Sequence, residues 1–152
     1  MKRTRRAYTL TEIVVVSIVV GVMAAVAIPR LNLAAIHNQT ADTVARKLVT
    51  DLRRTRMMAI ANASSNTSGY KLKMLGSSPY SSYEINNLDT SATVDTHTVD
   101  SNIDCTGGSS FQFGPLGNLL GGSDTQLTAG SSGRSFTITI TSATGMIKCA
   151  EN

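Results

Sequence analysis

Residues 13–28 read IVVVSIVVGVMAAVAI, an apolar block without a charged side chain. As a helix this block would rise about 25 Å, slightly less than the hydrocarbon core of a bilayer. Four basic residues precede it within residues 2–6, and basic residues favour the cytoplasmic side of a membrane. The pattern predicts a single-pass inner-membrane helix over residues 8–30, with a head after Arg30 in the periplasm.

Glu12 stands at the start of this block, where an unpaired carboxylate is costly if it lies in an apolar environment. No basic residue follows it before Arg30, about 27 Å further along a helix. If the chain is cleaved after Ala7, the new α-amino group of Tyr8 supplies a cation one turn from Glu12, on the same chain or on a neighbour. Glu12 is therefore predicted to pair with the leader or with a charge on another chain.

Two other interpretations of the block stay open. A secretory signal peptide also has a basic start, an apolar centre and a small-residue site, here residues 25–27, and its removal would leave Ile28 as the first residue. A plain membrane anchor is the second alternative. Because the helical pattern continues beyond residue 27 and Glu12 interrupts the start of the apolar centre, the sequence favours a helix that stays on the chain.

Residues 31–63 contain neither Gly nor Pro and carry apolar residues at helical spacing. Joined to the preceding block, they predict one helix of about 55 residues, roughly 80 Å long. Pro29 removes a backbone hydrogen bond and is expected to kink this helix, and Gly21 is a second weak point. The apolar positions of the amphipathic half are Ala41, Val44, Ala45, Leu48, Leu52, Ala59, Ile60 and Ala63.

Residues 64–152 are rich in Ser, Thr and Gly, and short runs with strand patterns alternate with glycine-containing turns. The predicted fold class is α+β, in which a long N-terminal helix, with a membrane half and an amphipathic half, packs against a C-terminal antiparallel β-sheet head. The predicted strands span residues 70–75, 83–85, 93–99, 111–113, 135–141 and 146–149.

The chain has two cysteines, Cys105 and Cys149, and neither belongs to a CxxC pair. Two lone cysteines behind a targeting segment favour one disulfide, formed in an oxidising compartment. Such a bridge would close a loop of about 45 residues and stabilise the fold by roughly 4 kcal/mol. Two buried free thiols are the alternative.

Charge is unevenly distributed along the chain. Residues 8–73 carry eight basic and three acidic groups, a net charge of +5, whereas residues 74–152 carry two basic and seven acidic groups, a net charge of −5. The overall excess of basic residues therefore comes from the four cations within residues 2–6. Nucleic acid is a partner that this distribution allows but does not favour.

The sequence contains no motif that would assemble a catalytic site. His37 and His97 stand apart from each other and from both cysteines, and no Ser or Cys nucleophile lies in a recognisable pattern. The sequence therefore predicts a protein that is not an enzyme and that holds no metal and no cofactor.

Residues 5–16, RRAYTLTEIVVV, resemble the processing site of type IV prepilins and of type II secretion pseudopilins. In that family, prepilin peptidase cuts after a small residue, the new first residue is N-methylated, and a Glu stands fifth in the mature chain. The resemblance implies a leader of residues 1–7 that is cut after Ala7, methylation of Tyr8, and Glu12 as the fifth mature residue.

Three positions depart from the usual pattern of that family, namely Ala7, Tyr8 and Thr11, where Gly, Phe and an aliphatic residue are more common. Pro29 agrees with the pattern, since many pilins have a proline at the corresponding place.

The head carries a second resemblance. Residues 111–118, FQFGPLGN, followed by the strand at 136–140 and the turn at 144–147, are similar to the closing strands of the minor pilin and pseudopilin family labelled GspH/FimT. Residues 52–61, LRRTRMMAIA, are similar to the same family. No resemblance covers residues 76–104.

Together the resemblances imply a structural subunit, a minor pilin or pseudopilin, that acts in the assembly or initiation of a type IV pilus or a type II secretion pseudopilus. The implied partners are other pilin or pseudopilin subunits, prepilin peptidase and the inner membrane, and the filament would be periplasmic or on the cell surface. A DNA-binding minor pilin for DNA uptake and a major pilin of the filament shaft are the alternatives. The DNA-binding relatives have an arginine-rich C-terminal region, whereas residues 145–152 here read GMIKCAEN.

Overall fold

The computed structural model describes residues 8–27, 33–131 and 133–152. Side chains within the two helices are described only for residues 8–25 and from residue 38 onwards. Two helices and eight strands lie in this part of the chain. The chain divides into two compact units, Met1–Leu33 and Ala34–Asn152.

Helix α1 spans Leu10–Ala27 and begins with a side-chain cap. Thr9 Oγ1 accepts a hydrogen bond from the backbone N–H of Glu12 at 3.3 Å, and the Thr9 carbonyl accepts from the amides of Glu12 and Ile13. Thr9 with Glu12 three residues later is the sequence pattern of a capping box. The helix then continues without interruption through Gly21.

Helix α2 spans Leu33–Ala61 and buries one face. An i,i+4 ion pair lies on its outer face, since Arg46 Nε lies 2.8 Å from Asp42 Oδ2. The helix ends where Asn62 donates its backbone N–H and its side-chain amide to the Met58 carbonyl. The buried side chains of α2 are Ala41, Ala45, Leu48, Val49, Asp51, Leu52, Thr55 and Ala59.

The predicted single helix of about 55 residues is wrong, because α1 and α2 are two separate helices. In the sequence, Pro29 stands between them. A proline inside a helix has no N–H to donate and clashes with the carbonyl four residues earlier, at a cost of about 3 kcal/mol or more. Pro29 itself, and the kink predicted there, lie outside the described residues.

The predicted inner-membrane location is also corrected. Within the described residues, neither helix has both the length and the apolar character that crossing a membrane requires. This finding contradicts the single-pass span over residues 8–30 with a periplasmic head.

The head contains two antiparallel four-stranded sheets rather than the one sheet that the sequence predicts. The strand order is β3-β2-β1-β5 in the first sheet and β4-β6-β7-β8 in the second. The strands are β1 Tyr70–Leu75, β2 Ser82–Asn87, β3 Thr93–Thr98, β4 Asp104–Gly107, β5 Ser110–Phe113, β6 Gln126–Gly130, β7 Ser135–Thr141 and β8 Met146–Glu151.

One edge of each sheet is covered by neighbouring chain. The outer edge of β5 binds a loop, since the Leu120 amide donates to the Gln112 carbonyl at 2.8 Å. The outer edge of β4 receives the Tyr80 amide, which donates to the Cys105 carbonyl at 2.8 Å. Among the described strands, β3 and β8 are therefore the two edge strands whose outer side is not covered in this way.

The core lies between α2 and the inward-facing residues of both sheets. Tyr83, Phe111 and Phe113 are its largest fully buried side chains, and they belong to the same cluster as Leu48 and Leu52 of α2. Strand β7 shows the alternation that places such residues inside, with buried and half-buried positions in turn. The head therefore has its own hydrophobic core.

A buried polar contact joins α2 to the first sheet. The Tyr83 hydroxyl donates to Asp51 Oδ2 at 2.6 Å, and burial together with this carboxylate raises the pKa of Tyr83 above its ordinary value. His97 Nε2 lies 3.6 Å from the same Asp51 oxygen. The hydrogen bond from the Tyr83 hydroxyl partly offsets the free-energy cost of removing the Asp51 carboxylate from water.

The predicted disulfide is absent, and both cysteines are free. Cys105 lies on β4 and Cys149 on β8, and β6 and β7 stand between these strands. Three strand spacings separate the two backbones by about 14 Å, whereas a disulfide needs Cα atoms within about 7 Å. The spacing of two cysteines in a sequence carries no information about strand order, which is the reason for the error.

A candidate assembly helix

Helix α1 exposes apolar side chains on every side. Each side chain described in residues 8–25 is exposed. A helix that is apolar all round is normally buried, and Val and Ile are modest helix formers in isolation. The exposed large apolar residues of α1 are Leu10, Ile13, Val14, Val15, Val16, Ile18, Val19, Val20, Val22 and Met23.

Glu12 carries the only charge of α1. It lies in the first turn, where the helix dipole favours a negative charge. Its carboxylate has no ion-pair or hydrogen-bond partner among the described residues, although its backbone N–H is held by Thr9. The carboxylate thus remains able to accept hydrogen bonds from another group.

Tyr8 lies on the same side of the helix start as Glu12. Both residues, with Ile13, Val16 and Ser17, line a shallow groove of about 350 Å³. The structure therefore brings the predicted methylation site and the predicted assembly charge together. An amino group at Tyr8 would be a near neighbour of the Glu12 carboxylate.

The remaining predicted positions of this segment divide into two groups. Ala7 and Pro29 lie outside the described residues. Gly21 lies in the middle of α1, and a Cβ atom added there would meet nothing within 4 Å. The backbone at Gly21 is thus accessible, and a second helix could approach it closely.

Thr9 caps the start of α1, a role that the sequence prediction did not include. Its role in capping α1 was encoded in the sequence, because a Thr followed three residues later by a Glu before an apolar run is the capping-box pattern. Only the Thr9 half of this pattern is formed among the described residues, because Thr9 Oγ1 accepts from the Glu12 amide.

Two thiols in the head lie in different environments. Cys105 is buried, and desolvation raises the pKa of its thiol to about 11. Cys149 is exposed and lines a groove of about 460 Å³ with Asp42, Arg46 and Glu151. Desolvation raises the pKa of the Cys149 thiol, so that neither thiol has the character of an activated nucleophile.

Several cations of the head are neutralised by neighbouring carboxylates. Arg54 Nη1 lies 2.7 Å from Asp95 Oδ2, and this contact lowers the pKa of Asp95. Arg134 binds Glu151 through two nitrogen atoms, which lowers the pKa of that carboxyl. These contacts leave fewer cations of the head for phosphate groups.

Metal-binding clusters are absent from the described part of the chain: no group of three or more His, Cys, Asp or Glu side chains there is placed to hold a metal ion. Compared with models of known protein families, with curated proteins and with solved structures, the chain matches none of them.

Proposed function

We propose that the protein is a structural subunit of a type IV pilin-like filament, a minor pilin or pseudopilin that joins the filament through α1. The observation that carries this proposal is the exposure of ten large apolar side chains around α1. Burying apolar surface is favourable by about 25 cal/mol per Å². A bundle of α1 helices from several subunits would bury this surface.

Glu12 would set the register of that bundle. An uncompensated carboxylate is strongly unfavourable in a water-free interface, so bundle arrangements that leave Glu12 unpaired are disfavoured. After cleavage behind Ala7, the α-amino group of Tyr8 would be the compensating cation. The position of Tyr8 beside Glu12 in one groove supports this pairing.

The head would be the part of the subunit that the filament displays. It has its own core, and it is held together without α1. This role requires no catalytic site, metal or cofactor. Partners in the assembly would be other pilin or pseudopilin subunits, and prepilin peptidase would expose Tyr8.

The first test is the N-terminus of the mature chain. The chain is produced together with a prepilin peptidase, and its first residue is determined by mass spectrometry. We expect an N-methylated Tyr8. A mature chain that begins at Ile28 would establish the signal-peptide interpretation and contradict the proposal, because α1 would then be absent from the working protein.

The second test is the substitution Glu12→Ala. We expect the variant to be absent from filaments sheared from the cell surface, or from pseudopili, while the head folds normally, because the bundle loses its charge pairing. Thr11→Ala is the matched control, since Thr11 is exposed on the same helix, does not line the groove of Tyr8 and Glu12, and bonds through its hydroxyl only to the Thr9 hydroxyl. Normal incorporation of Glu12→Ala would contradict the proposal.

The amount of protein in sheared filaments separates the two kinds of filament. A minor pilin would appear there at roughly a few per cent of the main subunit. A secretion pseudopilin would stay in the cell-envelope fraction, because a pseudopilus does not extend beyond the envelope.

A further inference from the structure

The head exposes four large apolar side chains near the end of α2. Met57 is 69% exposed, Ile60 43%, Leu116 87% and Met146 47%. Single exposed apolar residues are common, but a contiguous group of them is typical of an interaction surface. These four residues are called the apolar head patch.

The members of the apolar head patch lie together. Met57, Ile60 and Met146 line one groove of about 720 Å³ between α2 and the start of β8. Leu116 is the chain neighbour of Gly117, and a Cβ atom added to Gly117 would lie 2.6 Å from Ile60 Cδ1. The loop that carries Leu116 therefore borders the same groove.

Arg56 fixes the floor of this groove. Its Nε donates to the Gly117 carbonyl at 2.9 Å, and a Cβ atom added to Gly145 would lie 1.9 Å from that same carbonyl oxygen. The loop at Gly117 and the turn at Gly145 are thus packed backbone to backbone. A shallow surface held in this way is pre-formed, which lowers the entropic cost of binding.

The charge of the groove is positive. Arg53 and Arg56 line it, and no acidic residue does. Arg53 is exposed and has no ion-pair or hydrogen-bond partner among the described residues, in contrast to Arg54, which binds Asp95. A fitting partner is therefore an apolar surface that carries a carboxylate.

Helix α1 has this chemistry. It is apolar on every side, and its one charged residue is Glu12. From Arg53 to Ala61 the groove follows α2 for about 12 Å, which corresponds to two turns of a docked helix. The exposed area on α1 and the exposed area on the head are therefore complementary in polarity and in charge, and the groove could hold two of the five turns of α1.

We propose that the apolar head patch receives α1 of a second copy of this chain, with Glu12 of that copy beside Arg53. This inference rests on the proposed function, because it requires α1 to remain on the mature chain and to mediate assembly. In the filament, each α1 would then contact the head of another subunit as well as the α1 helices of its neighbours. A carboxylate can accept several hydrogen bonds, so Glu12 can bind Arg53 and the Tyr8 amino group together.

The test is photo-crosslinking in the full chain. A benzophenone amino acid replaces Met57, whose side chain is exposed and lies outside the core. Unlabelled and ¹⁵N-labelled chains are mixed, allowed to assemble and irradiated. We expect crosslinked peptides that join position 57 to residues 8–27, with one light and one heavy member. The same probe at Thr98, which is exposed on β3, should give no such product.

A charge reversal sharpens the test. Arg53→Glu should lower the yield of the mixed-isotope product at position 57 by about tenfold, because it places a carboxylate beside Glu12. Lys47→Glu is the matched control, since Lys47 is also exposed on α2 but does not line the groove. Its yield should be unchanged. Equal yields from both variants would overturn the charge pairing in the proposal.

A second probe separates this inference from the proposed function. Placed at Val16 in α1, the benzophenone reports contacts between α1 helices. Products at Val16 without any at position 57 would overturn the head contact and leave the filament function standing. Products that join position 57 only to head peptides would also overturn α1 as the occupant. If neither position gives a product between chains, both proposals fail.

Discussion

The thiol of Cys105 belongs to the hydrophobic core of the head. It is buried on β4, and desolvation raises the pKa of its thiol to about 11. The folded pKa thus lies above the ordinary thiol value of 9.0. The neutral Cys105 thiol therefore contributes to the free energy of unfolding. This contribution is fully present below about pH 9 and is lost as the pH rises through 11.

Alkylation measures the state of both thiols. With iodoacetamide at about pH 8 and no reductant, we expect Cys149 to react in the native protein and Cys105 to react only after unfolding, because the thiolate is the reactive form. Mass spectrometry of the intact chain counts the labels. A chain that takes up no label in denaturant until a reductant is added would contain the disulfide that the structure lacks.

At the residue scale, the sequence was informative where the relevant partner is close along the chain. The pair Asp42–Arg46 follows from helical spacing alone, and it is present. The capping box of Thr9 and Glu12 was equally local and could have been recognised. The separation of Cys105 from Cys149 depends on sheet order, which involves residues far apart in the sequence.

At the element scale, the strands with the clearest alternation of apolar and polar residues were the ones predicted correctly. The predicted limits 70–75 and 135–141 agree with β1 and β7, and β7 has a clean alternation of apolar and polar residues. The strands β4, Asp104–Gly107, and β6, Gln126–Gly130, were missed. Both are short and contain Gly, Asp, Ala or Gln, which are uncommon or neutral in strands. Pairing with neighbouring strands fixes them.

The turn between β7 and β8 depends on Gly145. Its φ is +63°, and a Cβ atom there would lie 1.9 Å from the Gly117 carbonyl oxygen. We expect Gly145→Ala to lower the free energy of unfolding by about 2 kcal/mol or more, because the backbone must move. Chemical denaturation followed by circular dichroism measures this change.

Gly121→Ala is the matched control for that substitution. A Cβ atom added at Gly121 would meet nothing within 4 Å, and its φ is not among the positive values. We expect a change within about 0.5 kcal/mol, or a slight stabilisation. Equal losses from both variants would show that the contact between the two loops does not determine stability.

At the scale of the whole molecule, the chain separates the surface proposed for assembly from the surface that stabilises the head. Val19 lies on α1 and is 48% exposed, whereas Leu48 of α2 is fully buried. We expect Val19→Asp to abolish association and to leave the unfolding of the head unchanged within about 0.5 kcal/mol. Sedimentation velocity and chemical denaturation measure the two effects.

Leu48→Ala should show the opposite behaviour. Removing this buried side chain is expected to lower the free energy of unfolding by about 3 kcal/mol, while the chain still associates below the unfolding midpoint. If Val19→Asp destabilised the head as strongly as Leu48→Ala, the two surfaces would not be independent.

The sequence predicted the two kinds of element in the right order but not their arrangement. Apolar periodicity is a local property, so the amphipathic helix and most strands could be recognised. The division into α1 and α2 was missed because a Pro was expected only to bend the helix. The division of the head into two sheets was missed because strand pairing is a long-range property that periodicity does not encode.

The open edges of the two sheets affect how the heads would behave when α1 helices gather many copies in a small volume. An edge strand with unpaired backbone N–H and C=O groups can pair with a strand of another chain and so nucleate aggregation. Charged side chains and β-bulges at the edge disfavour this pairing. Lys148 stands in β8 and Asp95 in β3, and the pairing of β2 with β3 shifts register between Ile85 and Asn86. Crowded heads are therefore expected to remain separate and soluble rather than fuse into a common sheet.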